Sequence, residues 1–342
     1  QREIARLEVL AGSLDLEIAD LAGEAEHRYW TEIQREVLRD ELATIEGEIE
    51  RYRLWADEGR QILLFDPDGD GRVVEVFGDL ARAEHVGVIV PGITNDIANF
   101  GPVDGGGFRA NAADLAAATG GLTDRIATVA WLAYDTPDGA DAVVRRAADA
   151  GHDDLVRFVA GLVAGGDRHI TVIGHSYGSL VTGMAAGHGI AADDVVFVGS
   201  PGTSLDHAGD ANLPPGGEVW AGLASWDPIG AGVSLVPSDP WEGSLSAPGR
   251  YLWDLIRTGD FAAEDLWHGT NPAHESFGAI EFTTDGATGH SQYFDPGTES
   301  LENLARIVAG LTPQVTLLPS EPMELAPAPF GEPWIEPMAE VV

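Results

Sequence analysis

The fold is decided by the stretch Thr171-Val172-Ile173-Gly174-His175-Ser176-Tyr177-Gly178-Ser179-Leu180. An apolar run typical of a strand leads into Gly-x-Ser-x-Gly, and a helical stretch follows. A serine on so sharp a turn needs small neighbours, because larger side chains would clash with the strand and the helix. Gly174 and Gly178 provide that room. The pattern predicts a nucleophile elbow, which lifts the Ser176 hydroxyl above a sheet at the N-terminus of a helix.

Around this elbow, short β-branched runs alternate with Ala- and Gly-rich stretches from residue 61 onward. The predicted strands are Gln61–Phe65, Val73–Phe77, Val86–Val90, Ala127–Trp131, Ile170–Ile173, Val195–Val198, Glu218–Ala221 and Ala279–Phe282. The predicted helices include Asp141–Ala148, Asp154–Val163, Ser179–His188 and Leu301–Ala309. This alternation predicts an α/β fold, with a mostly parallel sheet flanked by helices on both faces. The first two strands, joined directly, should form an antiparallel hairpin at one edge.

The pattern divides the chain into three parts. Residues 1–60 carry two runs of apolar residues at helical spacing, which predict an amphipathic helical arm or hairpin. Such a seam fits packing within the chain, self-association or a dedicated partner, and the sequence leaves these open. Residues 61–312 form the predicted α/β domain. Residues 313–342 contain seven prolines and cannot continue a helix or a central strand.

The composition excludes several classes of protein. The formal charge is −37, from 56 acidic residues against 19 basic residues, all of them Arg. So acidic a chain is unsuited to general nucleic-acid binding or to anionic membranes, both of which need cationic patches. The absence of cysteine excludes disulfides, thiolate metal sites and a cysteine nucleophile. The sequence indicates no metal site and no cofactor. It contains no run of about 18 apolar residues, so no membrane-spanning segment is predicted.

The chain starts at Gln1 rather than Met, so we expect that residues upstream have been removed. A cysteine-free chain is compatible with either redox environment, so the composition does not distinguish a cytoplasmic from an exported protein.

A nucleophilic serine needs a base, and the base needs an orienting acid. In folds with this elbow the chain order is Ser, acid, His. We predict His290 as the base, because its loop Thr288–Phe294 follows the last predicted strand. His268 and His274 are the alternatives. His175 is expected to pack beside the elbow and not to act as the base.

The predicted acid is Asp227, which ends the apolar run Val219–Asp227 just before a proline. A carboxylate there can accept the Nδ1 proton of the imidazole and hold the useful tautomer. The alternatives for this role are Asp206, Asp239 and Asp254.

An oxyanion formed at Ser176 needs two backbone donors. One should be the amide of Tyr177, which directly follows the serine. The other should come from the loop after Val86–Val90, where the Ile93 amide is our first choice and the Thr94 amide our second.

The substrate pocket is the least determined part of the site. Tyr134 and Asp135 end another strand on the same rim, and Trp226 precedes the predicted acid. Five of the nine tryptophans fall between residues 220 and 267, in a segment between acid and base. An apolar lid there would suit an acyl chain or an aromatic ester, although packing in a loop-rich excursion is the preferred explanation of these tryptophans.

Five motifs together resemble an actinobacterial α/β-hydrolase family long labelled as a domain of unknown function (DUF1023). They are Val90–Ile93, Trp131–Pro137, Gly174–Ser179, Val198–Gly202 and Gly289–Phe294. The resemblance covers about residues 61–310. It implies an α/β-hydrolase fold and a Ser-Asp-His triad at Ser176, Asp227 and His290, but no particular substrate.

These observations predict a serine hydrolase that cleaves carboxylic esters of small molecules. The same triad would serve an amidase, a peptidase or a thioesterase, because the pocket selects the leaving group. A different class is a catalytically inactive hydrolase scaffold that binds a partner through its helical arm.

Overall fold

The computed structural model describes residues 1–21, 28–101, 107–138, 141–142, 144–227 and 268–319. Several predicted features lie outside these ranges, namely Asp239, Asp254, the greater part of the Trp-rich segment and the tail beyond residue 319. No helix within the described ranges is long and apolar enough to cross a membrane.

Eight strands form one sheet. Their bounds are β1 Gln61–Asp66, β2 Arg72–Gly78, β3 His85–Val90, β4 Ile126–Leu132, β5 His169–His175, β6 Asp194–Val198, β7 Glu218–Gly222 and β8 Ile280–Glu281. Their order across the sheet is β1-β2-β4-β3-β5-β6-β7-β8. The pairs β1–β2 and β2–β4 are antiparallel, and the remaining pairs are parallel. The predicted mostly parallel sheet and its antiparallel edge hairpin are therefore confirmed.

Six helices surround the sheet or precede it in the described ranges. Their bounds are α1 Arg2–Leu21, α2 Arg28–Asp57, α3 Phe108–Gly120, α4 Arg146–Ala164, α5 Gly178–Gly187 and α6 Glu299–Val308. Helices α4 and α5 pack together on one face of the sheet, while α3 and α6 pack on the other. The central strands are consequently buried on both faces, which explains their continuous Val- and Ile-rich runs.

Two details differ from the sequence prediction. The helices predicted at Asp141–Ala148 and Asp154–Val163 are one helix, α4, which begins only at Arg146. Gly151 lies in the middle of α4, where a Cβ would come within 2.8 Å of the Tyr134 side chain. The glycine therefore permits a close helix–sheet contact and does not end the helix. Strand β8 is also shorter than predicted, since only Ile280–Glu281 pair with β7.

The two N-terminal helices pack against each other and against the sheet. Their seam residues belong to the same apolar cluster as α3 and α6. Trp55 contacts the ring of Phe100 with centroids 5.8 Å apart, and Tyr52 contacts Phe65 at 5.0 Å. Val9, by contrast, is 76% exposed on the outer side of α1. Self-association or partner binding through residues 1–60 stays a prediction, as does the division of the chain into three parts.

A buried ion pair joins β2 to the helices. The Glu75 carboxylate accepts two hydrogen bonds from the Arg109 guanidinium, both at 2.8 Å. Arg60 Nη1 lies 3.7 Å from the same carboxylate, and the Arg60 guanidinium stands over the ring of Trp55. All three charged side chains are at least nine-tenths buried. These contacts fix the junction at residue 60 to the sheet.

The topology brings four chain segments to one edge. Because β3, β5, β7 and β8 run parallel, the loops after their carboxyl ends meet there. Those loops carry Ile93, Ser176, Asp227 and His290, respectively.

Candidate active site

Ser176 stands on a strained turn between β5 and α5. Its φ is +55°, a left-handed conformation that a residue other than glycine rarely adopts. A Cβ at Gly174 would lie 2.7 Å from the Gly178 carbonyl oxygen, and one at Gly178 would lie 2.3 Å from the Val90 carbonyl oxygen. Both glycines of the motif are therefore required sterically, as the sequence predicts for an elbow.

The structure brings the three predicted residues together. His290 Nε2 lies 2.8 Å from Ser176 Oγ. His290 Nδ1 lies 2.9 Å from each carboxylate oxygen of Asp227. Because a carboxylate can only accept, Nδ1 carries the donated proton, and Nε2 of the neutral ring is left to accept from the Ser176 hydroxyl. This tautomer is the one in which an imidazole can remove the serine proton.

The alternative residues are placed elsewhere. The ring of His274 bonds to the hydroxyl and the amide of Ser276, one turn before β8. The ring of His268 packs against the side chain of Tyr177, with centroids 5.8 Å apart. Asp206 is exposed in the loop after β6.

Asp227 is held in a fully buried position, with its side chain out of contact with solvent. The hydroxyl of Tyr293 donates to its Oδ2 at 2.6 Å. A Cβ at Gly199, whose φ is +57°, would lie 2.7 Å from the same oxygen, so only glycine fits beside the carboxylate. No local sequence pattern assigns a role to Tyr293. A hydroxyl-bearing residue three positions after the predicted base was the signal that could have identified it.

His175 packs beneath His290, and the two ring centroids are 4.9 Å apart. Its Nε2 donates to the backbone carbonyl of His290 at 2.7 Å. Burial, together with the positive charge that His290 can carry, lowers the pKa of His175 to about 4. The ring is therefore a neutral support for the His290 backbone across the neutral pH range.

The loop after β3 approaches the serine closely. A Cβ at Gly92 would lie 2.8 Å from Ser176 Cβ, so a larger residue would displace one or the other. The Thr94 amide donates to the Pro137 carbonyl at 3.1 Å, which leaves it occupied within the loop. Within the described ranges, the amides of Ile93 and Tyr177 have no acceptor. Of the two choices for the second donor, the geometry favours Ile93.

The three predicted pocket residues differ in their exposure. Tyr134 is buried, and its hydroxyl donates to the Pro91 carbonyl at 2.7 Å, so it supports the loop after β3 from below. Its hydroxyl is therefore occupied within the protein, and a pocket role for Tyr134 stays a prediction. Asp135 is exposed on the rim. Its carboxyl group forms a hydrogen bond with that of Asp70, and this bond raises the pKa of Asp70. Trp226 is 46% exposed beside Asp227. Contact of Asp135 and Trp226 with a substrate stays a prediction.

In the described part of the chain, no group of three or more His, Cys, Asp or Glu residues is arranged to hold a metal ion.

Comparison with known proteins places this chain in a family. The model of a family described as "Alpha/beta hydrolase" matches residues 66–236, half of the chain. An uncharacterized protein of Mycobacterium tuberculosis (strain ATCC 25618 / H37Rv) is 41% identical over 178 residues, which cover 48% of this chain and 66% of the relative. A second uncharacterized protein of that strain is 31% identical over 303 residues, covering 77% of this chain and 44% of the relative. The chain thus spans less than two thirds of the length of either relative.

Solved structures are similar at a lower level. A member of the α/β serine hydrolases without a lid, from Xanthomonas campestris, has a TM-score of 0.38 and 14% identity, covering 76% of this chain and 97% of that one. The esterase PE8 has a TM-score of 0.39 and 14% identity, covering 69% and 96%. Similarity at this level adds nothing to the assignment, which depends on the family model. The narrower DUF1023 label stays a prediction. By the family match and by its eight-stranded sheet, the chain belongs to the α/β-hydrolase family.

Proposed function

We propose that this protein is a serine hydrolase that cleaves carboxylic esters, with Ser176 as nucleophile, His290 as general base and acid, and Asp227 as the orienting acid. The observation that carries the proposal is the continuous chain of hydrogen bonds from Ser176 Oγ through the His290 imidazole to the Asp227 carboxylate, at 2.8 and 2.9 Å. This is the geometry that nucleophile, base and orienting acid require.

The first half of the reaction forms an acyl-enzyme. Ser176 Oγ attacks the ester carbonyl carbon while its proton passes to His290 Nε2. The carbonyl oxygen becomes an oxyanion, which accepts hydrogen bonds from the amides of Tyr177 and Ile93. When the intermediate collapses, the bond to the leaving alkoxide breaks and His290 returns the proton to that oxygen. An alcohol leaves, and the acyl group remains bonded to Ser176.

The second half regenerates the enzyme. A water molecule gives one proton to His290 Nε2 and attacks the acyl carbonyl carbon. Collapse of this second intermediate returns the proton to Ser176 Oγ and releases a carboxylic acid. In both halves the buried Asp227 carboxylate stabilises the imidazolium form of His290, which forms each time the base accepts a proton.

Two arguments support an ester rather than an amide as the substrate. An alkoxide needs less help from the acid than an amine does, and the described rim offers an exposed indole at Trp226 beside the carboxylate. That surface suits an acyl chain or an aromatic ester. An amidase, a peptidase or a thioesterase would use the same residues and differ only in the pocket.

The test combines covalent labelling with a substrate panel. The wild-type chain is expected to take up a fluorophosphonate on Ser176 and to hydrolyse at least one p-nitrophenyl ester of graded acyl length. Ser176→Ala should abolish both, while Ser13→Ala, an exposed hydroxyl on α1, should retain both. Faster hydrolysis of matched amides or thioesters would replace the ester assignment. A wild-type chain that takes no label and hydrolyses nothing would favour the inactive scaffold.

A further inference from the structure

We propose that Tyr293 is a positioning residue, which acts on His290 through Asp227. This inference rests on the proposed function and extends it, because it adds a fourth side chain to the serine, histidine and aspartate. Tyr293 does not face the serine. Its effect would pass through the carboxylate that orients the imidazole.

The hydroxyl of Tyr293 has a defined direction. It accepts a hydrogen bond from the Ala224 amide at 3.0 Å and donates to Asp227 Oδ2 at 2.6 Å. Since the amide occupies the oxygen from one side, the hydroxyl proton is directed at the carboxylate. The Tyr293 side chain is completely buried, and so is that of Asp227. In such a dry environment a hydrogen bond to a charged group is stronger than at the surface.

Tyr293 also keeps its proton. Burial is the main cause that raises its pKa far above the ordinary value, and the neighbouring carboxylate of Asp227 raises it further. The hydroxyl is therefore a permanent donor over the working pH range of a hydrolase. A donor that never ionises can hold Asp227 in one rotamer without competing for the proton on His290 Nδ1.

The base and this donor belong to one short loop. Tyr293 follows His290 by three residues, and the Gln292 side chain closes the loop by accepting from the amide and the hydroxyl of Thr288. The His290 carbonyl is held in turn by His175. The loop therefore holds the His290 imidazole and the Tyr293 hydroxyl in a fixed position relative to each other, and both of these groups bind Asp227.

Loss of the hydroxyl has two consequences, and the second of them differs from simple loosening. First, Asp227 Oδ2 loses a buried donor, so the carboxylate gains freedom to rotate away from Nδ1. Second, a carboxylate with fewer donors carries more charge toward the imidazole and stabilises its protonated form. The described side chains in contact with the His290 ring are Asp227, Ser176 and His175, and of these only Asp227 and His175 can carry charge. Tyr293 reaches the ring only through Asp227. The acid limb of the pH–rate profile should therefore move to higher pH.

The decisive variant is Tyr293→Phe, which removes one oxygen and keeps the ring. We expect kcat to fall by about tenfold, as the loss of a hydrogen bond to a charged group allows. KM should change by less than about twofold, since the hydroxyl touches no substrate. The acid limb should shift upward. Tyr52→Phe, a buried tyrosine of α2 in contact with Trp55 and Phe65, is the matched control and should change none of these.

A double-mutant cycle distinguishes positioning from bulk packing. If Tyr293 acts through Asp227, then Tyr293→Phe should have almost no further effect on kcat in the Asp227→Asn background. Additive losses, or a loss in activity that follows thermal stability without a shift of the acid limb, would overturn the proposal. If Tyr293→Phe does not fold, site-specific 3-fluorotyrosine at position 293 keeps the native shape and donates more strongly. It should move the acid limb in the opposite direction, and an unchanged limb would also overturn the proposal.

The inference can fail separately from the proposed function. The downfield proton NMR resonance of His290 Nδ1–H reports its bond to Asp227 without any substrate. Tyr293→Phe should shift this resonance even in a chain that hydrolyses no ester, whereas Tyr52→Phe should leave it in place. A resonance that is the same in all three chains would overturn the positioning role, and activity lost only in Ser176→Ala would still support the hydrolase.

Discussion

Replacement of His175 by glutamine should make the free energy of unfolding less dependent on pH in the acid range. His175 lies beneath His290 and donates from Nε2 to the His290 carbonyl. A glutamine amide can donate to the same oxygen but does not titrate. If the free energy of unfolding depends on pH differently in wild type and in His175→Gln, the difference therefore measures the cost of protonating the buried imidazole.

The magnitude follows from the pKa in the folded state. Burial lowers the pKa of His175 from 6.5 to about 4. Because the folded state binds this proton more weakly than the unfolded state, the contribution to stability is complete above pH 6.5 and is lost as the pH falls toward 4. At pH 5 the loss is about 2 kcal/mol, from the ratio of the two binding polynomials. Part of the residue remains accessible to solvent, so this value is an upper bound.

Urea unfolding at about pH 8 and about pH 5 measures the effect. The wild-type free energy of unfolding should fall between the two conditions by up to about 2 kcal/mol more than that of His175→Gln. Carboxylates that titrate in the same range contribute equally to both chains and cancel in this comparison. An identical loss in the two chains would refute the reasoning, because it would mean that His175 is as easily protonated in the folded state as in the unfolded state.

Three substitutions elsewhere test the packing. Glu75→Gln removes the negative charge that compensates the buried Arg109 guanidinium and should cost about 3–5 kcal/mol in urea unfolding; a loss below about 1 kcal/mol would contradict a buried ion pair. Gly183→Ala would place a Cβ 2.0 Å from the Thr203 carbonyl oxygen, so the melting temperature should fall by several degrees. Gly161→Ala, with no atom within 4 Å of its Cβ, should instead stabilise α4 by about 0.5–1 kcal/mol, and a lower melting temperature would count against it.

The parts of the fold that local pattern determines could be predicted from the sequence. The buried strands are continuous apolar runs, and the elbow is a local motif whose two glycines are required by contacts of 2.7 Å or less. Ser176, Asp227 and His290 followed from the chain order of the elements, because parallel strands place their carboxyl ends at one edge. These predictions depended on periodicity, on one local motif and on topology.

Contacts between distant segments could not be predicted in the same way. A glycine such as Gly151 locally disfavours a helix, yet α4 continues through it. The glycine is needed there because the Tyr134 side chain packs too closely for a Cβ. Helix α3 went unpredicted, since its many alanines give little contrast between its buried and exposed faces. The role of the Tyr293 hydroxyl depends on Asp227, 66 residues earlier in the chain. No local pattern in a single sequence shows that these two side chains meet.

The junction at residue 60 has a practical consequence for fragment design. A protein that begins at residue 61, where the change of period suggests a boundary, would lack Trp55 and Tyr52. The buried ring of Phe100 would then face water, the ring of Phe65 would become more exposed than it already is, and Glu75 would lose its contact with Arg60. Such a truncated chain would expose a new apolar surface beside its edge strand β1. An exposed apolar surface next to an unpaired strand edge favours aggregation during expression. Fragments intended for crystallisation should therefore retain α2.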